Sequence, residues 1–162
     1  RQRQKCIRGS SDTDRTRTSI RDGFVDRYSG DRLMFTGAVL LLSRLLAEEF
    51  PYHAAWKRDA RHAAYWDLYA TIHHVHPSAL GGSGGPENWV TTSMRRNGMK
   101  YSWTLDELGW ELQPPGDITV WDGQLSWFVE LIATDEFERS DALDRWHRSA
   151  LRAMDDPLTH GP

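Results

Sequence analysis

The centre of this chain constrains its fold most strongly, because several structural signals follow one another there. Residues 70–75 and residues 88–92 are predicted as two strands, and a glycine-rich turn at residues 81–85 lies between them. Ser93 is a typical N-cap for a short helix over residues 94–103. This order predicts two strands and a helix as the central unit of an α+β fold.

Four polar side chains lie in this central unit. His73 and His74 close the first predicted strand, Asn88 opens the second, and Asn97 lies on the helix. Adjacent side chains of a regular strand point to opposite faces, so the two histidines can share a site only where the strand ends. A neutral imidazole can deprotonate water near pH 7, and imidazole and amide oxygen can both bind a divalent ion. The spacing therefore predicts one metal-centred site.

The pattern resembles the HNH endonucleases, also known as ββα-metal or His-Me finger nucleases. The matching residues are His73-His74-Val75-His76-Pro77, Gly81-Gly82, Asn88-Trp89-Val90, and Asn97 with Lys100. The resemblance covers roughly residues 23–112. It implies a ββα-metal (His-Me finger) core embedded in additional helices, and an endonuclease that hydrolyses phosphodiester bonds in DNA.

The resemblance also implies a role for each matching residue. His74 would be the general base that activates water, and His73 and Asn97 would be the metal ligands. Asn88 would brace the loop and hold the backbone of the base in place. Three basic side chains of the helix are the expected contacts with DNA phosphates: Arg95, Arg96 and Lys100.

The expected cofactor is one divalent metal ion, either Mg2+, Mn2+, Zn2+ or Ni2+. Many family members have Asp at the position of His73, and an imidazole ligand shifts the preference away from Mg2+ toward the transition metals. The zinc-knuckle cysteines of many relatives are missing, since Cys6 is the only cysteine. The core is therefore expected to be held by packing, for which the eight tryptophans are the obvious material.

Charge and composition divide the chain into three parts. Residues 1–22 are predicted to be a flexible basic arm, because residues 1–21 carry seven basic and two acidic side chains and almost no apolar content. Residues 23–112 form the predicted nuclease domain. Residues 113–162 are predicted to be an acidic helical extension packed on that domain, since residues 104–162 carry four basic and thirteen acidic side chains.

Further elements are expected around the centre. The sequence predicts a hairpin turning at Ser29-Gly30 and a capping box formed by Thr104 and Glu107. Other helices are predicted over residues 37–50, 120–133 and 135–156.

DNA is the expected partner, and no apolar run is long enough to suggest a membrane span. We expect a cytoplasmic protein, or a secreted or injected one with an immunity partner if the chain is a toxin domain. The alternative function is a catalytically degenerate HNH-fold module that binds DNA without cutting it.

Overall fold

The computed structural model describes residues 10–53, 55, 57, 60–134 and 139–156. Helices and strands are mixed in the described residues, which makes the fold α+β. The helices are α1 Asp12–Arg21, α2 Thr36–Leu45, α3 Tyr65–Leu68, α4 Met94–Lys100, α5 Leu105–Leu108, α6 Leu125–Ile132 and α7 Asp141–Met154, and the strands are β1 Ala70–His74 and β2 Trp89–Ser93. No helix in these ranges is both long and apolar enough to cross a membrane.

The two strands pair antiparallel over their full length. Ala70 lies opposite Ser93 at one end of the sheet, and His74 lies opposite Trp89 at the other. α4 begins directly after β2, where the Ser93 side chain accepts a hydrogen bond from the Arg96 backbone N–H. The predicted strands and the predicted N-cap are confirmed, and the helix ends at Lys100, three residues earlier than expected.

The main hydrophobic core lies among the helices α1, α2, α6 and α7 and includes Ala70 of β1, whereas Ile72 and Trp89 of the sheet form a separate small cluster. Phe35 occupies its centre and makes edge-on ring contacts with Phe24, Phe128 and Trp146 at centroid distances of 6.3, 5.2 and 5.6 Å. Because Phe128 and Trp146 lie on α6 and α7, the acidic C-terminal part supplies much of this core. The first four residues of the helix predicted over 135–156 lie outside the described residues.

The prediction of a flexible arm is wrong for residues 12–21, which form the helix α1. Ser11 and Asp14 form a capping box at its start, and Ile20 is buried. The helix packs against α7, where Asp12 accepts a hydrogen bond from the Arg145 side chain at 2.7 Å. Residues 12–21 are therefore part of the folded core, because α7 covers a face that has little apolar content of its own. Residues 1–9 lie outside the described residues.

The segment between α1 and α2 is clamped to β2 by two buried carboxylates. Asp22 accepts a hydrogen bond from the Thr91 backbone N–H at 2.7 Å. Asp26 accepts from the Ser93 backbone N–H at 2.8 Å and from the Thr92 hydroxyl at 3.1 Å. The predicted hairpin here is a tight turn with a single bridge, Val25 to Arg32, because these carboxylates rather than a long strand ladder fix its position.

The helix predicted over residues 37–50 is shorter, since α2 ends at Leu45. The predicted capping box of Thr104 and Glu107 is confirmed at the start of α5, where both of its hydrogen bonds are present.

Candidate functional site

The candidate site lies at the end of β1, next to the glycine-rich loop. Two short 3-10 helices, Ser78–Leu80 and Pro86–Asn88, organise the loop that joins β1 to β2. Val75 continues the pairing for one more backbone hydrogen bond, from its N–H to the Asn88 carbonyl at 2.8 Å. The strand therefore ends beside the histidine pair, as the sequence predicts.

Asn88 holds this loop together with its side-chain amide. Its Oδ1 accepts a hydrogen bond from the His76 backbone N–H at 2.9 Å, and its Nδ2 donates to the His76 carbonyl at 2.9 Å. The same Nδ2 donates to the Ser83 carbonyl at 2.7 Å. One amide thus ties both sides of the loop at a point two residues beyond His74, which is the geometry of a brace.

His73 contacts Tyr28 on one face of the sheet. The two rings meet edge to face with centroids 6.3 Å apart, and Tyr28 Oη lies 3.4 Å from His73 Nδ1. Burial lowers the pKa of His73 to about 4, with further lowering by Lys100 and His74 and a smaller opposing effect of the Tyr101 carbonyl. The imidazole is therefore neutral at pH 7, as a metal ligand must be.

His74 contacts Trp89, its cross-strand partner. The Trp89 indole Nε1–H donates a hydrogen bond to His74 Nε2 at 3.3 Å. Burial and then the Lys100 charge lower the pKa of His74, so this ring is also neutral at pH 7. A neutral imidazole that accepts at Nε2 carries its proton on Nδ1. His74 can therefore take a proton from water only after Nε2 leaves Trp89.

The Asn97 side chain lies against the backbone of β1 at Ile72, the residue that precedes His73. Its Nδ2 donates a long hydrogen bond of 3.4 Å to the Ile72 carbonyl. This orientation leaves the amide oxygen without a hydrogen bond in the described part of the chain. Amide oxygen is a ligand for divalent cations, so the donor is of the right kind.

The donor set of His73 and Asn97 fits a weakly held divalent ion. Both groups are neutral, and one nitrogen with one oxygen suits Mn2+, Zn2+ or Ni2+ better than Mg2+. Within the described residues, no group of three or more His, Cys, Asp or Glu side chains could hold a metal. Any ion at this position would therefore take most of its remaining ligands from water and substrate.

The three predicted phosphate contacts differ in their surroundings. Arg95 is exposed and forms a bidentate ion pair with Asp67 of α3, with Nη2 and Oδ2 2.9 Å apart. Arg96 lies over the Trp110 ring, with its guanidinium carbon 5.4 Å from the centroid. Arg95 is exposed and Arg96 is partly exposed.

The surroundings of Lys100 contradict the prediction that it contacts DNA phosphates. Its side chain is fully buried, and Nζ donates hydrogen bonds to the His74 carbonyl at 3.2 Å and the Trp103 carbonyl at 2.8 Å. A buried ammonium held by two carbonyls cannot meet a phosphate. Lys100 instead fastens the end of β1 to the end of α4, and its charge lowers the pKa values of both histidines.

Two residues of the site were missed from the sequence. Tyr28 and Trp89 each contact one of the paired histidines, but no role was predicted for either, and Trp89 was matched only as the neighbour of Asn88 in the family pattern. For Trp89 the register was an available signal, since pairing of the two predicted strands places it opposite His74. For Tyr28 no local signal exists, because its contact with His73 depends on the clamp that Asp26 forms.

No protein-family model, curated protein or solved structure significantly matches this chain. The functional assignment therefore rests on the residues and geometry described above.

Proposed function

We propose that this protein is a metal-dependent endonuclease of the HNH type that hydrolyses phosphodiester bonds in DNA. One arrangement carries the proposal: β1 ends beside the paired histidines, Asn88 braces the loop that follows them, and the amide of Asn97 lies against the β1 backbone next to His73. The strand–strand–helix order supports a ββα-metal core, since α4 follows β2 directly and packs on both strands.

Each residue has a definite task in this proposal. His73 and Asn97 would hold the ion, whose chemistry is to stabilise charge on the phosphate and on the leaving 3′ oxygen. His74 accepts the proton of the attacking water at Nε2 once the Trp89 N–H has moved away. Asn88 keeps the backbone that follows His74 in place. Arg95 and Arg96 supply positive charge for the flanking phosphates.

The test is cleavage of supercoiled plasmid with Mg2+, Mn2+, Zn2+ and Ni2+ in parallel. The wild type should nick or linearise the plasmid with at least one of the ions, and most efficiently with a transition metal. His74→Ala should lose cleavage by at least about a hundredfold, the lower end of what a general base contributes. His147→Ala, which removes a histidine from α7, should cut normally. Plasmid that stays intact with every ion, or a His74→Ala variant that cuts like the wild type, would refute the proposal.

A second function is a module that binds DNA without cutting it. Two observations favour it: the ligand set is small and neutral, and the Nε2 lone pair of His74 is engaged by Trp89. Thermal unfolding with and without the ions separates the two functions. A functional metal site raises the melting temperature with the logarithm of the ion concentration above Kd, whereas a degenerate site gives no shift at any ion concentration.

A further inference from the structure

Tyr28 lies outside the proposed machinery, yet its hydroxyl reaches one of the proposed metal ligands. Its side chain is buried, with a relative exposure of 5%, and its hydroxyl lies 3.4 Å from His73 Nδ1. Burial and then the Asp26 carboxylate raise the pKa of Tyr28 far above neutral, so the hydroxyl stays protonated. A protonated hydroxyl can donate a hydrogen bond to a ring nitrogen or accept one from it.

Several parts of the fold hold Tyr28 in position. Its backbone N–H donates to Asp26 Oδ1 at 3.0 Å, while the other oxygen of Asp26 accepts from the Ser93 N–H at the start of α4. Its ring packs against Trp110 with centroids 5.6 Å apart, and Lys100 Nζ lies 5.9 Å from the ring centroid. The hydroxyl is therefore presented to His73 by a rigid support and not by a mobile side chain.

We infer that Tyr28 is a positioning residue that accepts the Nδ1–H of His73 and so leaves Nε2 as the nitrogen available to a divalent cation. The inference rests on the metal site of the proposed function. A neutral imidazole has one N–H and one lone pair, and the partner of one nitrogen decides which role the other takes. Ligating histidines commonly donate their second N–H to such a partner, which fixes both the tautomer and the ring orientation.

The opposite arrangement makes a different and observable state. If the Tyr28 hydroxyl donates to Nδ1, the His73 proton lies on Nε2. Nε2 would then have no lone pair for a cation. The two tautomers differ in the ¹⁵N chemical shifts of the ring, so the metal-free wild-type protein distinguishes them at neutral pH. Protonated Nδ1 is the expected result, and protonated Nε2 would overturn the inference.

The variant that tests the inference is Tyr28→Phe, which removes the hydroxyl and keeps the ring. Tyr65→Phe is the matched control, because Tyr65 is also buried and its hydroxyl bonds to α2, through the Val39 carbonyl and the Ser43 side chain. Tyr28→Phe should shift the ¹⁵N signals of His73 away from protonated Nδ1. It should also weaken Zn2+ or Mn2+ binding by calorimetry about tenfold, the lower end for loss of such a partner. Tyr65→Phe should change neither.

The readouts separate this inference from the proposed function. A wild type with protonated Nδ1 that binds no metal would refute the metal site and leave the tautomer assignment supported. A Tyr28→Phe variant with unchanged His73 shifts and unchanged metal affinity would refute the positioning role, even in an active nuclease. If Tyr28→Phe does not fold, the wild-type tautomer alone decides between the two arrangements.

Discussion

The sharpest structural prediction concerns the two asparagines, which the site assigns to different tasks. Asn88 makes three side-chain hydrogen bonds with the loop, at 2.9, 2.9 and 2.7 Å, whereas Asn97 makes one long bond of 3.4 Å. If Asn88 is a brace, its removal should act on stability. If Asn97 is a ligand, its removal should act on metal binding. The substitutions Asn88→Ala and Asn97→Ala test this division directly.

The expected magnitude follows from the bonds. A protein hydrogen bond contributes about 0.5–1.5 kcal/mol net, and Asn88 is only partly buried. Three bonds with partial solvent exposure give a loss of roughly 2–3 kcal/mol for Asn88→Ala. The single weak bond of Asn97 gives roughly 0.5 kcal/mol or less. Asn88→Asp should be no better than Asn88→Ala, because a carboxylate would face the two carbonyl oxygens that the Nδ2 amide now serves.

Urea denaturation at a fixed pH, followed by tryptophan fluorescence, measures these differences if the slope m is unchanged. Calorimetry with Mn2+ or Zn2+ on the same proteins measures metal affinity, which is where the removal of Asn97 should act. Equal stability losses for Asn88→Ala and Asn97→Ala would refute the reasoning, as would an Asn88→Ala variant that unfolds at the wild-type urea concentration. An Asn97→Ala variant with unchanged metal affinity would remove Asn97 from the ligand set.

Substitutions at Lys100, Gly82 and Arg95 test other contacts. Lys100→Met should cost roughly 2–4 kcal/mol in urea denaturation, because it leaves two carbonyl groups without their donor; a change below about 1 kcal/mol would contradict this. Gly82→Ala should destabilise the loop, since a Cβ at this position overlaps the His76 carbonyl oxygen. Gly84→Ala is the control, because a Cβ there has no neighbour within 4 Å. Amide hydrogen exchange in the loop measures the effect of each substitution. Arg95→Ala should change stability by less than about 1 kcal/mol but lower the salt dependence of DNA binding by about one unit of slope; an unchanged slope excludes the phosphate contact.

The parts of the fold that were predictable are those with local causes. Ser93 and Thr104 cap their helices with side chains that reach backbone groups only three residues away, so the sequence alone locates both helix starts. The ends of β1 and β2 were predictable for the same reason, because the glycine-rich turn and the cap bound them. The contacts of Asn88 also span a short stretch of chain, which is why its role as a brace follows from a sequence resemblance.

The parts that were not predictable have distant causes. α1 carries mostly polar residues, yet Thr16 and Ser19 are buried because α7 lies against them. The burial of Lys100 is of the same kind. Its helix position gives no sign that the ammonium will lie beneath the end of β1, where the His74 carbonyl is its partner. Tertiary packing determines such environments, and no pattern within one element encodes it.

The paired histidines have different partners in the sheet, and the partner of His74 affects its proposed role as the general base. His73 lies opposite Val90 and contacts Tyr28, while His74 lies opposite Trp89 and accepts its indole N–H. Releasing that bond costs about 1 kcal/mol, the usual net value of a hydrogen bond. A general base contributes about a hundredfold to ten-thousandfold in rate, which is roughly 3–5 kcal/mol. In the proposed mechanism, the contact between Trp89 and His74 would therefore reduce the catalytic benefit of the base without removing it, and the strength of metal binding by neutral ligands would decide whether DNA is cut.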